Sequence, residues 1–264
     1  MQATDLDLIK DAARLAGQIA TSFVGKTARQ WDKPDGAGPV TEADIAVNDA
    51  LENMLCEARP DYGWLSEESE DSGERLQRDT VFVIDPIDGT RSFVEGSRTW
   101  AHSIAIAHNN EITAAVIFLP MRDKLYSAAL GKGAFHNGAQ LSISAQSELN
   151  EAEILATKPV MHADHWPNGL PDFTRSHRPS LAYRLGLVAE ARFDGMLTFR
   201  PSWEWDIAAG ALIVTEAGGK CTDKTGARLR FNNGKPLLNG VIAAGPMLHR
   251  QVLTALRPPS AAAP

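Results

Sequence analysis

The stretch Thr80-Val81-Phe82-Val83-Ile84-Asp85-Pro86-Ile87-Asp88-Gly89-Thr90 is the most informative in the chain. Its first five residues are β-branched or aromatic and predict a buried strand that ends at Asp85. Pro86 biases the residue before it toward extended backbone, so the chain should leave the strand sharply. Asp88 then returns toward the same point, with the Ile87 carbonyl between the two carboxylates. Two carboxylates and a carbonyl are the hard oxygen donors that suit Mg²⁺. If Gly89-Thr90 opens a helix or turn, its first N–H groups have no intrahelical acceptor and form an anion site, with phosphate the obvious anion. The plainer alternative for the hexapeptide is an Asx-turn with a helix cap.

Upstream, Ser66-Glu67-Glu68-Ser69-Glu70-Asp71 supplies two further carboxylates, one to ligate and one to orient or deprotonate a water. Taken alone, such a run also fits a solvated surface. Apolar residues at Leu8, Ile9, Ala12, Leu15, Ala16, Ile19 and Phe23 predict a helix over about 6–23, capped by Thr4 or Asp5. A Pro- and Gly-rich loop follows over 31–39. Thr41 with Asp44 three residues on resembles a capping box and opens a second helix that stops before Arg59-Pro60. Downstream, strands are expected over 102–107, 112–119 and 124–130, joined as hairpins by Asn109-Asn110 and by Pro120 to Asp123. A strand edge and tight turn follow over 131–138.

Beyond residue 145 the pattern changes to strands near 154–157, 195–199 and 241–244, and helices over 180–193, 206–217 and from Pro246. Asp206 falls where a helix should start, which fits either an N-cap or a ligand. Ala208, Ala209 and Gly210 behind it permit close helix packing. The order predicts an α+β half over 1–144 carrying most of the acidic residues, an α/β half over 145–257 carrying Asp206, and a disordered tail over 258–264.

The 264 residues are 44% hydrophobic and 22% charged, which is ordinary for a globular protein, and the formal charge is −7. An acidic balance without a basic stripe argues against general nucleic-acid binding. It does not exclude anionic substrates, since a bound divalent ion reverses the local field. Cys56 and Cys221 lie far apart without a CxxC partner, so reduced thiols in a cytoplasm are expected. Neither a signal peptide nor a membrane span is apparent.

With these residues in place, the chain resembles the inositol monophosphatase family of Mg²⁺-dependent, lithium-sensitive phosphomonoesterases. The resemblance rests on Lys33 with Pro39-Val40-Thr41-Glu42-Ala43-Asp44, Ser66-Glu67-Glu68-Ser69, Asp85 to Thr90, and Trp205-Asp206 with Glu216-Ala217-Gly218-Gly219. Lys124-Leu125-Tyr126 and Gly131 to Gly138 add a hairpin of the same kind. It covers roughly residues 5–257 and implies a layered αβαβα sandwich and a homodimer. By position it implies Glu67, Asp85, the Ile87 carbonyl, Asp88 and Asp206 as ligands of two or three Mg²⁺ ions. Asp44 would stand behind them or serve a third ion. Glu68 and Thr90 would position and activate a water that attacks phosphorus directly, and the N–H groups of Gly89 and Thr90 would hold phosphate oxygens. Ser66 departs from the glycine that many members carry before the Glu pair.

The expected substrate is a small phosphorylated metabolite. Inositol-specific members carry a Glu seven residues before the Trp-Asp aspartate, where this chain has Phe199 followed by Arg200. Arg91-Ser92 directly follows Thr90, and a cation there could pair with a second phosphate on the substrate. That favours a 3′(2′),5′-bisphosphate nucleotide, its adenine stacking on Trp100, Trp203 or Trp205. The alternative for Arg91 is a surface or dimer ion pair. Inositol 1-phosphate, fructose 1,6-bisphosphate and histidinol phosphate remain open, the last with Glu95 or Glu204 facing the amine. So does a non-enzymatic regulatory binding role. His102, His162, His165 and His177 are read as structural or surface residues.

Overall fold

Residues 4–25, 28–33 and 38–258 are described in the computed structural model of the chain. Part of the expected loop over 31–39 and nearly all of the expected tail lie outside them. The helices are α1 (Asp5–Phe23), α2 (Glu42–Ala58), α3 (Thr90–Val94), α4 (Leu181–Ala189), α5 (Glu204–Glu216) and α6 (Pro246–Leu256). Strands β1 (Gln30–Asp32) and β2 (Pro39–Thr41) pair as a short antiparallel ribbon. A seven-stranded sheet then runs in chain order through β3 (Gly63–Ser66), β4 (Thr80–Asp88), β5 (Ala101–His108), β6 (Glu111–Leu119), β7 (Lys124–Ala129), β8 (Ala134–His136) and β9 (Ala139–Gln140). Its β3–β4 pair is parallel and the remainder is an antiparallel meander. The later strands are β10 (Glu153–Ala156), β11 (Thr174–Ser176), β12 (Gly195–Thr198), β13 (Ser202–Trp203), β14 (Lys220–Thr222), β15 (Leu237–Leu238) and β16 (Val241–Ala244). Five of them form a mixed sheet ordered β11-β10-β12-β16-β14, while β13 pairs with β15.

Strand alternation fixes the layers, because successive side chains leave opposite faces of a sheet. Phe82 and Ile84 of β4 pack with Leu8, Ile9, Val47 and Leu51 of α1 and α2. Val81 and Val83 face the other way, toward Leu185 of α4 and Ile207 and Leu212 of α5. In the second sheet, Val241 and Ala243 join that same inner cluster, whereas Ile242 and Ala244 pack outward on Leu248 and Val252 of α6. The order is therefore α1/α2, first sheet, α4/α5, second sheet, α6, which is the expected αβαβα sandwich. Sandwiched between two sheets, α5 buries every residue from Ile207 to Val214. Gly210 lets it approach α4, since a Cβ there would stand 2.3 Å from Leu185 Cδ1.

Several boundaries differ from expectation. The strand predicted to end at Asp85 runs on to Asp88 through a bulge, because Pro86 has no N–H to give the ladder. α4 stops at Ala189 rather than near Phe193. α5 begins at Glu204 with Trp203 as N-cap, so Asp206 sits inside the first turn and does not cap the helix. The capping box at Thr41 and Asp44 is present, and Thr4 caps α1. Among the described residues, no helix is long and apolar enough to cross a membrane.

Candidate metal and active site

The bulge in β4 aims the carboxylates. Asp85 pairs with Ser103 and Asp88 with Ala101, so β4 spends one residue more than β5 over that interval. His102, wholly buried, meets the extra carbonyl, its Nδ1 lying 2.5 Å from Pro86 O. Burial pushes that imidazole down to about 4, which makes it a neutral structural prop, as expected of it. Ile87 turns its side chain into the α1/α2 layer, while Asp85 keeps the α5-facing direction of Val81 and Val83.

Three carboxylates meet there. Glu67 at the end of β3, Asp85 on β4 and Asp206 in the first turn of α5 each bring an oxygen within 4.8 Å of the others. Burial first, then repulsion from Glu67, Asp88 and Asp206, holds Asp85 well above the usual carboxylate range. Burial, then Asp88, does the same to Asp206. Asp85 Oδ1 is buried without any hydrogen-bond partner. An orphaned oxygen in an all-carboxylate cluster, with no His or Cys among the donors, fits a hard divalent cation such as Mg²⁺.

The other expected residues gather round. Asp88 lies beside the cluster and gives Oδ2 to the start of α4, accepting from the Ser180 hydroxyl at 2.7 Å and the Ala182 N–H at 2.6 Å. Ser180 takes a left-handed backbone to do so, with φ 64°. Thr90 donates its hydroxyl to Asp44 Oδ1 at 3.0 Å and lies 3.2 Å from the Ile87 carbonyl. Asp44 Oδ2 accepts from Thr41 N at 2.9 Å, so Asp44 ties Thr90 to the α2 cap. Gly89 has φ 102°, a conformation that favours glycine, and α3 begins at Thr90. Lys33 Nζ reaches Glu67 at 2.7 Å and Glu68 at 2.6 Å. Burial and the charge of Glu67 still raise Glu68 to about 7. The Ser66 hydroxyl donates to Asn48 Oδ1 at 2.6 Å, so it is satisfied without either glutamate carboxylate.

The expected substrate contacts divide. Arg91 is exposed on α3, but Ser92 is buried beneath it. Phe199 is packed between Trp166 and His165 in the outer α6 layer, on the same side as Leu197 two residues earlier and opposite to the inner-facing Met196. Trp100 is buried between Phe93 and His102, so no base can stack on it. Trp203 is 40% exposed and stacks on Trp205 at 4.9 Å. Glu204 is fully buried with both oxygens hydrogen-bonded, which removes it as a partner for a substrate amine.

One cation at the site went unread in the sequence. Arg184 of α4 is 7% exposed, within electrostatic reach of Asp88, Asp206 and Arg200. Its Nε donates to Arg178 O at 2.5 Å and Nη2 lies 2.9 Å from His177 Nε2. Arg200 in turn acts on Asp206, so Arg184 and Arg200 form a cationic flank to the acidic cluster. A mid-helix arginine normally signals solvent, and only the sandwiching of α4 between sheets buries this one.

Known proteins share this architecture. The model of the inositol monophosphatase family matches residues 2–259. The chain is 32% identical to an inositol-1-monophosphatase of Mesorhizobium japonicum over 97% of each chain. It is 35% identical to a putative Nus factor SuhB of Neisseria meningitidis serogroup B, over 92% of this chain and 94% of the relative. Among solved structures, the extragenic suppressor protein suhB of Bartonella henselae superposes with a TM-score of 0.81 at 29% identity, covering 95% of this chain and 97% of the other. Together with the carboxylate cluster these matches mark a phosphoric monoester hydrolase: the chain belongs to the inositol monophosphatase family.

Proposed function

We propose that the chain hydrolyses a small phosphate monoester whose alcohol portion carries a second anionic group, with a 3′(2′),5′-bisphosphate nucleotide as the preferred case. The observation that carries the hydrolytic reading is the convergence of Glu67, Asp85 and Asp206 within 4.8 Å around an unpartnered buried oxygen. These three would hold one Mg²⁺; Asp88 and the Ile87 carbonyl would serve a second ion, and a third remains part of the proposal. Bound Mg²⁺ supplies Lewis-acid neutralisation of phosphate charge. The chain's own residues do the rest. Glu68, raised to about 7, is suited to accept a proton from the attacking water near neutral pH. Thr90, fixed by Asp44, orients that water, and the N–H groups of Gly89 and Thr90 receive phosphate oxygens.

The lean toward a bisphosphate is supported by Arg184 and Arg200 beside Asp206, more than by Arg91, and by the exposed face of Trp203. Inositol 1-phosphate is a second reading, favoured by the names of the Mesorhizobium relative and of an inositol-1-monophosphatase of Rhizobium meliloti at 34% identity. Inhibition by Li⁺ and a homodimer are further expectations. The SuhB relatives make a partner role the outcome to consider if no ester is cleaved.

A phosphate-release panel decides between these readings. It would compare 3′-phosphoadenosine 5′-phosphate, inositol 1-phosphate, histidinol phosphate and fructose 1,6-bisphosphate, with Mg²⁺, with chelator and with added Li⁺. Arg184→Met is expected to raise KM for the bisphosphate nucleotide about tenfold or more while sparing inositol 1-phosphate. Equal losses on both esters would remove the second-anion reading, and no release from any ester would remove the hydrolytic one.

A further inference from the structure

Behind the acidic cluster lies a polar network whose two central charges are buried, while its Asp71 end is exposed and its asparagines are half-buried. Arg75 is 2% exposed and Glu204 is fully buried. Arg75 grips Asp71 twice, Nε to Oδ1 at 3.0 Å and Nη2 to Oδ2 at 2.7 Å. The same guanidinium donates to Asn232 Oδ1 at 2.6 Å and to Asn233 O at 3.0 Å. Glu204 completes the chain from the other side. Its Oε2 accepts from Asn232 N at 2.6 Å, and its Oε1 from Asn233 N at 3.0 Å and Asn233 Nδ2 at 2.6 Å. Asn232 adopts a left-handed backbone, φ 63°, to present both groups.

The two ends of this network are what give it meaning. Asp71 closes the segment that begins with Glu67, and Glu204 stands two residues before Asp206 in the same helical turn. The loop that follows Glu67 and the helical turn that carries Asp206 are thus joined by one network, while Glu67 is also tied to β4 through its N–H to Ile84 O at 3.2 Å and Asp85 lies on β4 itself. Those carboxylates repel one another and, with the site open, would drift apart. A buried ion network is not the cheapest way to stabilise a fold, since apolar replacements often do as well. It does hold a geometry, and outer partners of ligands commonly set metal affinity.

We propose that Glu204 and Arg75 are positioning residues: through Asn232 and Asn233 they form a strut that sets the separation of Asp206 from Glu67, and so the affinity for the divalent ion. The strut rests on the reading of Glu67, Asp85 and Asp206 as a metal site. A second anchor, Ser103 Oγ donating to Trp205 O at 2.8 Å, holds the same helix start to β5 opposite Asp85, from the other side of the turn.

The test measures Mn²⁺ binding by electron paramagnetic resonance for the full chain, Glu204→Gln and Asn233→Ala, beside the Mg²⁺ dependence of phosphate release. Asn233→Ala trims one contact to Glu204 and serves if Glu204→Gln fails to fold. The strut predicts about tenfold weaker Mn²⁺ binding, a matching rise in the Mg²⁺ needed for half-maximal rate, and kcat preserved at saturating Mg²⁺. A lowered thermal midpoint with unaltered Mn²⁺ affinity would show a merely structural network and overturn the proposal. A wild-type chain that binds no Mn²⁺, or an Asp206→Asn variant that binds it normally, would overturn the metal reading beneath it.

Discussion

Asp88 holds the start of α4 with one carboxylate oxygen and adds charge beside Asp85 and Asp206. Asn at this position keeps an acceptor for Ser180 and Ala182 but removes the charge. Asp88→Asn should therefore fold with an unchanged far-UV spectrum and lose Mg²⁺-dependent turnover by on the order of 100-fold or more. Near-normal rates at saturating Mg²⁺ would count against a catalytic carboxylate there. Asp206→Asn separates metal binding from folding in the opposite sense. It relieves repulsion with Asp88 and Glu67, so the metal-free variant should melt higher than metal-free wild type while losing the gain that Mg²⁺ confers. Scanning calorimetry with and without chelator reads both, and a lower melting point for the metal-free variant would contradict the repulsion argument. At this scale much was legible. Asp85 to Thr90 reads as an acidic turn because its two carboxylates and the Ile87 carbonyl lie within four residues of one another, and Asp85 does meet Glu67 and Asp206. Arg75 and Glu204 were not legible as a pair, since the asparagines that join them lie 157 and 28 residues away along the chain.

The start of α2 and the start of α5 show why some elements can be predicted to the residue and others cannot. Thr41 and Asp44 satisfy each other locally, so the sequence alone marks the boundary. Trp203 offers no side-chain cap, and the Glu204 N–H instead finds Pro236 O, a partner supplied by a distant loop. The α2 cap also reaches the proposed active site, because Asp44 accepts from the Thr90 hydroxyl with its other oxygen. Thr41→Ala is expected to cost about 1–2 kcal/mol of stability and to lower kcat more than it raises KM. An unchanged kcat would mean that Thr90 does not depend on the cap. Between the central helices, Gly210→Ala would drive a methyl group into Leu185, costing about 1–3 kcal/mol despite the better helix propensity of alanine. Denaturant unfolding measures that loss, and a stabilised variant would mean that α4 can retreat freely.

Across the whole molecule, layered packing buries a set of carboxylates that must otherwise stay apart, and this gives stability a definite pH dependence. Asp85, Asp88 and Asp206 all have folded pKa values raised above their unfolded ones, and Glu68 is raised to about 7. The native metal-free chain thus holds more protons than the unfolded chain above about pH 4. That contribution is fully present below the unfolded values and is lost as pH rises through the folded ones. The melting point of chelator-treated protein should accordingly fall between about pH 5 and 7.5, and Mg²⁺ should flatten the slope by replacing the protons. Parallel slopes with and without Mg²⁺ would sink this account. The same layering limited the sequence reading: strand alternation gave two-faced sheets, but the identity of the layer opposite Phe199 and Arg184 depends on contacts between sheets. Lys33 has one more consequence, which concerns time. Glu67 and Asp85 leave the ribosome more than a hundred residues before Asp206, an interval of roughly ten seconds at ordinary rates of synthesis. The lysine that spans Glu67 and Glu68 is already made by then, so the nascent first half carries its own counter-charge while the last ligand is still unsynthesised.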